Sequence, residues 1–526
     1  MKYPTNMLSN KRLIGFLLII TVILVSSTRL SAVQTEHDHP NIIVILADDL
    51  GYGDISSFNE KAAFKTPNVD RLAETGMKFT DAHTSSAVCT PTRYGLLTGR
   101  YNWRSTLKKF VLSGYSKSLI KNERWTLPEM LQEQNYHTGF VGKWHLGWDW
   151  TFSGEPENID ALNSRPDVDF TLPIHNGPTD HGFDYSFGFS GSLDMPPYVY
   201  VENGLPTAVP TEETVNYDEK GFWRKGLTAP DFDHTMVLQD LTDRSISYID
   251  ERTESGQPFF LYFALPAPHT PILPTTEFIG SSNANLYGDF VLQVDHVVGQ
   301  IVDALESKSI LEHTLIIFTS DNGASPRSDF EELARAGHDP SYIYRGHKAD
   351  IYEGGHRVPF VVSWPDGIES GLTSDETIST VDLMATFSDL TGSSLPEDAG
   401  EDSYSFLPVL MQKEYEKPLR EATVFHSLAG RFAIKKGNWK LILWPGSGGW
   451  SLPNTEEELR RLPLFQLYNL EKDPSEQTNL VHLYPDKVNE LKALLQEYIL
   501  SGRSTPGEPQ ENDGPKRWTE LDWMDF

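Results

Sequence analysis

The side chains best suited to chemistry fall into a few short runs. Asp48-Asp49 follows one continuous apolar run directly, and Asp321-Asn322 follows another. Two such pairs at neighbouring strand ends would build an oxygen-rich cage for a hard divalent cation. Either pair alone also reads as ordinary turn chemistry. Lys143 and His145 stand two residues apart after a short strand candidate, Thr138–Val141, so an ammonium and an imidazole can share one cleft. Together they would offer fixed positive charge and a proton carrier to an anionic reacting group. His269 lies in Pro266-Ala267-Pro268-His269-Thr270-Pro271, where the prolines would hold it rigidly at a sheet edge. Cys89 is the only cysteine in 526 residues and has no internal disulfide partner. A lone cysteine is usually a small buried hydrophobe. This one sits with Thr90, Pro91 and Arg93 where a helix begins, with proline tolerated in the first turn.

These groups need a scaffold that brings strand ends together. Asn41–Ala47 is apolar and rich in β-branched residues, as expected of a strand buried on both faces. Phe259–Leu265 and Thr314–Thr319 read the same way, and Val291, Val294, Val298, Ile301 and Leu305 mark a helix between them. The alternation predicts an α/β fold with a large, mostly parallel (mixed) central sheet flanked by helices. Sites in such sheets form at the carboxyl ends of strands. After about Leu410 the texture changes to short strands, Phe432–Ile434 and Trp439–Leu443, and an amphipathic helix, Pro485–Ile499. The expected division is a signal peptide at 1–32, a catalytic domain at 33–415, a smaller α+β domain at 416–503 and a loosely ordered tail at 504–526, docked by Trp518 and Trp523. Residues 150–235 lack periodicity and are expected to be functional loop.

Lys11 and Arg12 precede the apolar run Leu13–Val25 and the small pair Ser31-Ala32, the pattern of a secretory signal peptide. The run is short for a membrane span, so no stable span is expected once it is removed, and the mature chain is expected to be secreted or periplasmic. An uncleaved anchor is the alternative. Acidic residues outnumber basic ones by 74 to 44, giving a net charge of −30. That balance excludes nucleic acid as a partner, because phosphate binding needs a basic field. Any anion site must be locally positive inside a negative envelope.

Cys89-Thr90-Pro91-Thr92-Arg93, running into Leu96-Leu97-Thr98-Gly99-Arg100, resembles the signature of the type I sulfatases, in the alkaline phosphatase superfamily. The blocks Ala47–Asp54, Gly142–Gly147, Pro268–Pro271, Thr319–Gly323 and Tyr352–Phe360 resemble further motifs of that family, in family order. The resemblance implies that Cys89 is oxidised to formylglycine (3-oxoalanine) by a formylglycine-generating or anaerobic sulfatase-maturating enzyme. It assigns Asp48, Asp49, Asp321, Asn322 and the modified Cys89 to one calcium ion, with magnesium as the minor alternative. One hydroxyl of the aldehyde hydrate, held by calcium and Arg93, would attack sulfur, and the second would collapse the hemiacetal and release sulfate. By the same resemblance His145 assists the collapse, Lys143 and Lys348 hold the sulfate, and His269 sits by the leaving oxygen as general acid. Lys348 lies in Gly346-His347-Lys348-Ala349-Asp350, where the family pattern would have a smaller, glycine-richer run, and His347 is a candidate substrate contact.

The family and the signal peptide imply a sulfated polysaccharide or its oligosaccharides as substrate, with exo action favoured and aryl sulfates as adventitious substrates. Trp144, Trp148 and Trp150 could stack on sugar faces, and His181 and Asp194 are further candidate sugar contacts. Two rivals are a phosphatase or phosphonate monoester hydrolase of the same superfamily and a catalytically silent glycan-binding relative.

Overall fold

Ile42 to Ala47 are completely buried, and their strand, Asn41–Ala47, lies inside a ten-stranded sheet. The computed structural model describes Met1 and residues 39–524, so the expected signal peptide lies outside the described residues. In spatial order the sheet runs Leu372–Ser374, Met77–Phe79, Phe360–Ser363, Thr314–Ser320, Asn41–Ala47, Phe259–Ala264, His137–Lys143, Tyr185–Phe189, Val201–Glu202 and Leu205–Pro206. The strands from Thr314–Ser320 through Tyr185–Phe189 are mutually parallel, and antiparallel pairs bring in both flanks. The fold is therefore α/β with a large mixed sheet, as the alternating pattern predicts.

Helices cover this sheet. Val237–Ser255 packs on the His137–Lys143 strand, and Pro67–Glu74 packs on Phe360–Ser363. Leu286–Ser307 starts where the Asn285 side chain accepts the Gly288 N–H at 3.0 Å, which satisfies one free donor of its first turn. Its five predicted core positions, Val291 to Leu305, are all buried. Fully burying one such side chain is worth roughly 1.5–3 kcal/mol, so a stripe of five anchors the helix.

A second, antiparallel sheet joins Thr423–His426, Phe432–Lys436, Trp439–Ile442 and Gln466–Asn469. The helix Pro485–Ser501 packs on it through Val488, Leu491, Leu495 and Ile499. Residues 41–524 form one compact unit. The tail departs from the expectation of loose order. Asn512 accepts from Arg104 at 3.0 Å, Asp513 pairs with Arg100 at 2.9 Å, and Lys108 lies 4.3 Å over the Trp518 ring. Ion pairs and an aromatic contact thus fix a segment whose composition alone reads as flexible. No helix among the described residues is long and apolar enough to cross a membrane.

Candidate active site

Register brings the chemistry together. Ala47 lies opposite Ser320, Leu46 opposite Ala264, and Ala264 opposite Gly142, so four adjacent parallel strands end in one row. Asp321-Asn322, Asp48-Asp49, His269 and Lys143-His145 leave from that row, at the carboxyl ends where open α/β sheets place their sites. Gly142 has φ 129°, and a Cβ there would meet the Ala264 carbonyl oxygen at 1.9 Å, so only glycine fits immediately before Lys143. Cys89 opens the fully buried helix Cys89–Thr98, whose positive dipole end therefore points into the site.

The buried groups brace one another. Lys143 Nζ donates to Asp48 Oδ2 at 2.6 Å and to Ser192 Oγ at 3.0 Å. Lys348 Nζ pairs with Asp49 Oδ1 at 2.6 Å, and Asn322 Nδ2 donates to that same oxygen at 2.7 Å. Arg93 donates through Nε and Nη2 to Asp321 Oδ2 at 3.0 and 2.8 Å, and through Nη1 to the Lys143 carbonyl at 2.7 Å. It is fully buried and fixes both the carboxylate row and the lysine backbone. His269 lies 3.7 Å from Asp49 and within 3.3 Å of Ser192 Oγ. Asp49, His145 and Ala349 have φ values of 64°, 54° and 79°. Left-handed backbone at non-glycine residues costs of order 1–3 kcal/mol each and persists where surrounding structure enforces it, commonly at functional sites.

Electrostatics sort the groups into roles. Burial pushes the Cys89 thiol up, so the unmodified sulfur is a protonated, poor nucleophile. Burial, then the Lys143 charge, hold His145 well below its usual value. Its Nε2 lies 2.9 Å from the Leu112 carbonyl, which accepts from the N–H of the neutral ring, and the buried Nδ1 has no partner. His145 is thereby a neutral imidazole with a bare acceptor nitrogen. Burial and the Lys348 charge lower His269 likewise. Burial alone would lower Lys348, but the carboxylates of Asp49 and Asp48 carry it above its ordinary value and keep it charged. Burial would raise Asp48, yet Lys143, His269 and Arg93 together hold it well below the carboxylate range.

The residues present fit a divalent cation. Asp48 Oδ1 and Asn322 Oδ1 are buried without a hydrogen-bond partner, and ligand atoms of Asp48, Cys89 and Asp321 lie within 4.8 Å of one another. Carboxylate and amide oxygens are donors for a hard ion. A separate acid–histidine cluster, His83, Glu353 and His356, is different, because the Lys440 ammonium bonds Glu353 at 2.9 Å and His356 at 3.0 Å. A cation of the chain itself already holds that position.

A cavity of about 910 Å³ opens onto Cys89, His269 and Lys348. The segment 150–235 contributes Ile159–Leu162, Asp194, Met195 and Arg224 to its wall, but it is not loop throughout as expected: it also supplies the sheet strands Tyr185–Phe189, Val201–Glu202 and Leu205–Pro206 and the hairpin of Glu212–Asn216 with Trp223–Thr228. Several expected sugar contacts are corrected. Trp144 is fully buried, donates to the Gly147 carbonyl at 2.9 Å and packs against Phe140 and Phe183, so it is core; Trp148 and Trp150 are core as well. His181 is buried behind Ser118, 3.2 Å from its hydroxyl. His347 is tied to Ser451 Oγ at 3.1 Å and packs on Phe330, so it braces the lysine loop. Asp194 does line the cavity.

The sequence reading missed Ser192, which links Lys143 to His269, and Asp350, which is fully buried behind Lys348. Asp350 Oδ1 accepts the N–H groups of Trp450 and Ser451 at 2.9 and 3.0 Å, and Oδ2 accepts that of His347 at 3.2 Å and bonds Ser451 Oγ. It clamps the lysine loop to a glycine-rich segment that carries the half-exposed Trp450 to the cavity rim. The signals were the departure from the family pattern around Ala349-Asp350 and the run Gly446–Trp450.

The profile of the family described as Sulfatase matches residues 40–393, which span every motif above. The chain belongs to the sulfatase family. A second profile, that of the N-sulphoglucosamine sulphohydrolase C-terminal region, matches residues 346–504 of this sulfatase. It is 35% identical over 497 residues to an N-acetylgalactosamine-6-O-sulfatase of Bacteroides thetaiotaomicron, covering 87% of this chain and 92% of that one. It is 30% identical over 506 residues to the N-acetylgalactosamine-6-sulfatase of Mus musculus, covering 90% and 88%. A solved Bacteroides thetaiotaomicron structure, described with the metabolism of multiple glycosaminoglycans and labelled 6S-sulf, superposes with a TM-score of 0.75 at 34% identity, over 88% of this chain and 99% of that one. These likenesses identify a sulfatase, an enzyme that hydrolyses sulfate esters, and they set the phosphatase reading aside.

Proposed function

We propose that this sulfatase removes 6-O-sulfate from N-acetylgalactosamine residues at chain ends of glycosaminoglycan oligosaccharides, outside the cytoplasm, with Cys89 converted to formylglycine and one calcium ion in the carboxylate cage. The observation that carries the chemistry is the convergence of Cys89, two carboxylate-bearing pairs and two ammonium groups at one cavity. The sugar and the position rest on the printed activities of the bacterial and mouse relatives. Exo action is favoured by the burial of Cys89, which is 2% exposed and reached through the cavity.

Asp48, Asp49, Asp321 and Asn322 would hold the ion, which would supply Lewis-acid stabilisation of charge at the sulfuryl oxygens. The aldehyde hydrate would supply one hydroxyl to attack sulfur and another to let sulfate leave. The remaining work falls to the chain's own groups. Lys143 and Lys348 place positive charge where three sulfuryl oxygens must sit, at the dipole end of the Cys89 helix. Arg93 keeps Asp321 and Lys143 in register. His145, neutral with Nδ1 bare, would accept a proton, and His269 on the cavity wall, neutral at rest, would first take up a proton before giving it to the departing oxygen.

The test is a panel of monosulfated sugars offered to protein whose Cys89 conversion has been verified by mass. Release of sulfate from N-acetylgalactosamine 6-sulfate, at a kcat/KM well above that for the 4-sulfate and for N-acetylglucosamine 6-sulfate, is expected. Preference for another position or sugar would overturn the assignment.

A further inference from the structure

Asp194 and Arg224 form an ion pair in the wall of the cavity that holds Cys89, His269 and Lys348. They reach it separately. Asp194 lies two residues beyond Ser192, the hydroxyl that touches Lys143 and His269, while Arg224 stands on the strand Trp223–Thr228. The pair is built into the backbone: the Arg224 N–H and Nη1 both donate to the Asp194 carbonyl, at 3.2 and 3.0 Å, and Nη1 also bonds carboxylate Oδ2. Asp194 is 8% exposed, and its Oδ1 has no partner. A guanidinium carries five N–H donors in a fixed fork, so Arg224, with its side chain 22% exposed, keeps donors for a ligand.

Resting on the glycosaminoglycan reading above, we propose that this pair recognises a free hydroxyl on the sugar bearing the scissile sulfate and rejects a second sulfate at that position. A hydroxyl both donates and accepts, so one group can give its proton to Asp194 and receive an N–H from Arg224. Oδ1 is buried, so the hydroxyl would be met at Oδ2, which keeps a further lone pair beside its bond from Arg224. A sulfate ester in the same place has no proton to donate and sets a negative charge against a carboxylate with an unsatisfied oxygen. The two ends of the cavity are thus opposite in kind. Lys348 in the lining and the fully buried Lys143 bonded to Ser192 make one end accept an anion, and Lys109 and Lys117 line the cavity elsewhere, whereas the Asp194–Arg224 pair is itself charge-neutral and asks for a donor. Such a wall would oblige another enzyme to remove the neighbouring sulfate first.

The experiment compares wild type, Asp194→Asn and Arg224→Gln on paired substrates: N-acetylgalactosamine 6-sulfate with its 4,6-disulfate, and N-acetylglucosamine 6-sulfate with its 3,6-disulfate. Wild type is expected to favour the monosulfate by about 100-fold in kcat/KM within the pair it cleaves. Asp194→Asn, which removes the repelling charge, should narrow the preference to below about 10-fold. Arg224→Gln, which leaves the carboxylate uncompensated, should widen it. Because the two variants move the ratio in opposite directions, general loss of fold cannot imitate the result, and either one suffices if the other fails to fold. Equal use of both pair members by wild type, or ratios that neither variant moves, would overturn the proposal. Cleavage of the glucosamine pair alone would overturn the substrate reading while the ratio within that pair still tests Asp194.

Discussion

Replacing Asp350 by alanine is expected to disable the enzyme without touching a group that meets sulfate. Asp350 is fully buried and accepts three backbone N–H groups, from His347, Trp450 and Ser451, besides the Ser451 hydroxyl. Removing the acceptor leaves three part-buried backbone donors without it, and at about 1 kcal/mol each once water enters the gap the expected loss is about 3 kcal/mol. The loss falls on the loop that carries Lys348. Ala349 holds φ 79° there through bonds from its N–H to Ala87, at 2.8 Å, and from Leu428 to its carbonyl, at 3.0 Å. With the clamp gone, that strained turn relaxes and the Lys348 ammonium moves. A misplacement near 1 Å can cost about 100-fold in rate, and that is the expected fall in kcat/KM. The assay is a double-mutant cycle with Lys348→Ala, reading kcat/KM and thermal unfolding. If Asp350 acts through Lys348, its removal costs less than about three-fold in activity in the Lys348→Ala background, although the unfolding midpoint still drops. Full, independent losses of activity in both backgrounds would refute the reasoning, and so would an Asp350→Ala enzyme with wild-type turnover.

Gly142→Ala should be poorly tolerated, because the added Cβ would meet a backbone oxygen at 1.9 Å; soluble protein with an unchanged unfolding midpoint would contradict the close approach of the two strands. Removing divalent metal with a chelator should lower both turnover and the unfolding midpoint, since an ion that binds only the folded cage stabilises it; calcium should restore both, and a metal-free enzyme of full activity would refute the cage. His234 supplies a pH prediction. Burial lowers it to about 4, so the unfolded chain takes up the proton first as pH falls from about 6.5. The stability associated with its neutral form is complete above about 6.5 and is lost, up to about 3 kcal/mol, as pH falls toward 4. His234→Phe should flatten unfolding midpoints across that window, and an unaltered slope would count against the assignment.

Much of this site is legible in the chain because strand ends announce themselves. Apolar runs that stop at Asp48, Lys143 and Asp321 predict both a parallel sheet and what its carboxyl edge displays. The tryptophans after Lys143 show the limit of composition: Trp144 looks like a sugar platform beside a catalytic motif, but the register that turns Lys143 into the site turns Trp144 into the core. Ser192, Asp194 and Arg224 were hard to assign because the 150–235 segment has no period from which to infer facing. Asp350 and Trp450 are far apart in sequence, and no local pattern says that a carboxylate at one position will gather backbone N–H groups from the other. The tail shows the converse error, since its charge and proline content suggest mobility while specific ion pairs to Arg100 and Arg104 fix it.

The account depends on what Cys89 becomes. The most direct measurement is the mass of the Cys89-containing peptide from protein made in its native host, with and without a hydrazide reagent. An aldehyde mass that shifts on hydrazide treatment is the predicted result. An unmodified thiol in native material that nevertheless hydrolyses sulfate esters would contradict it.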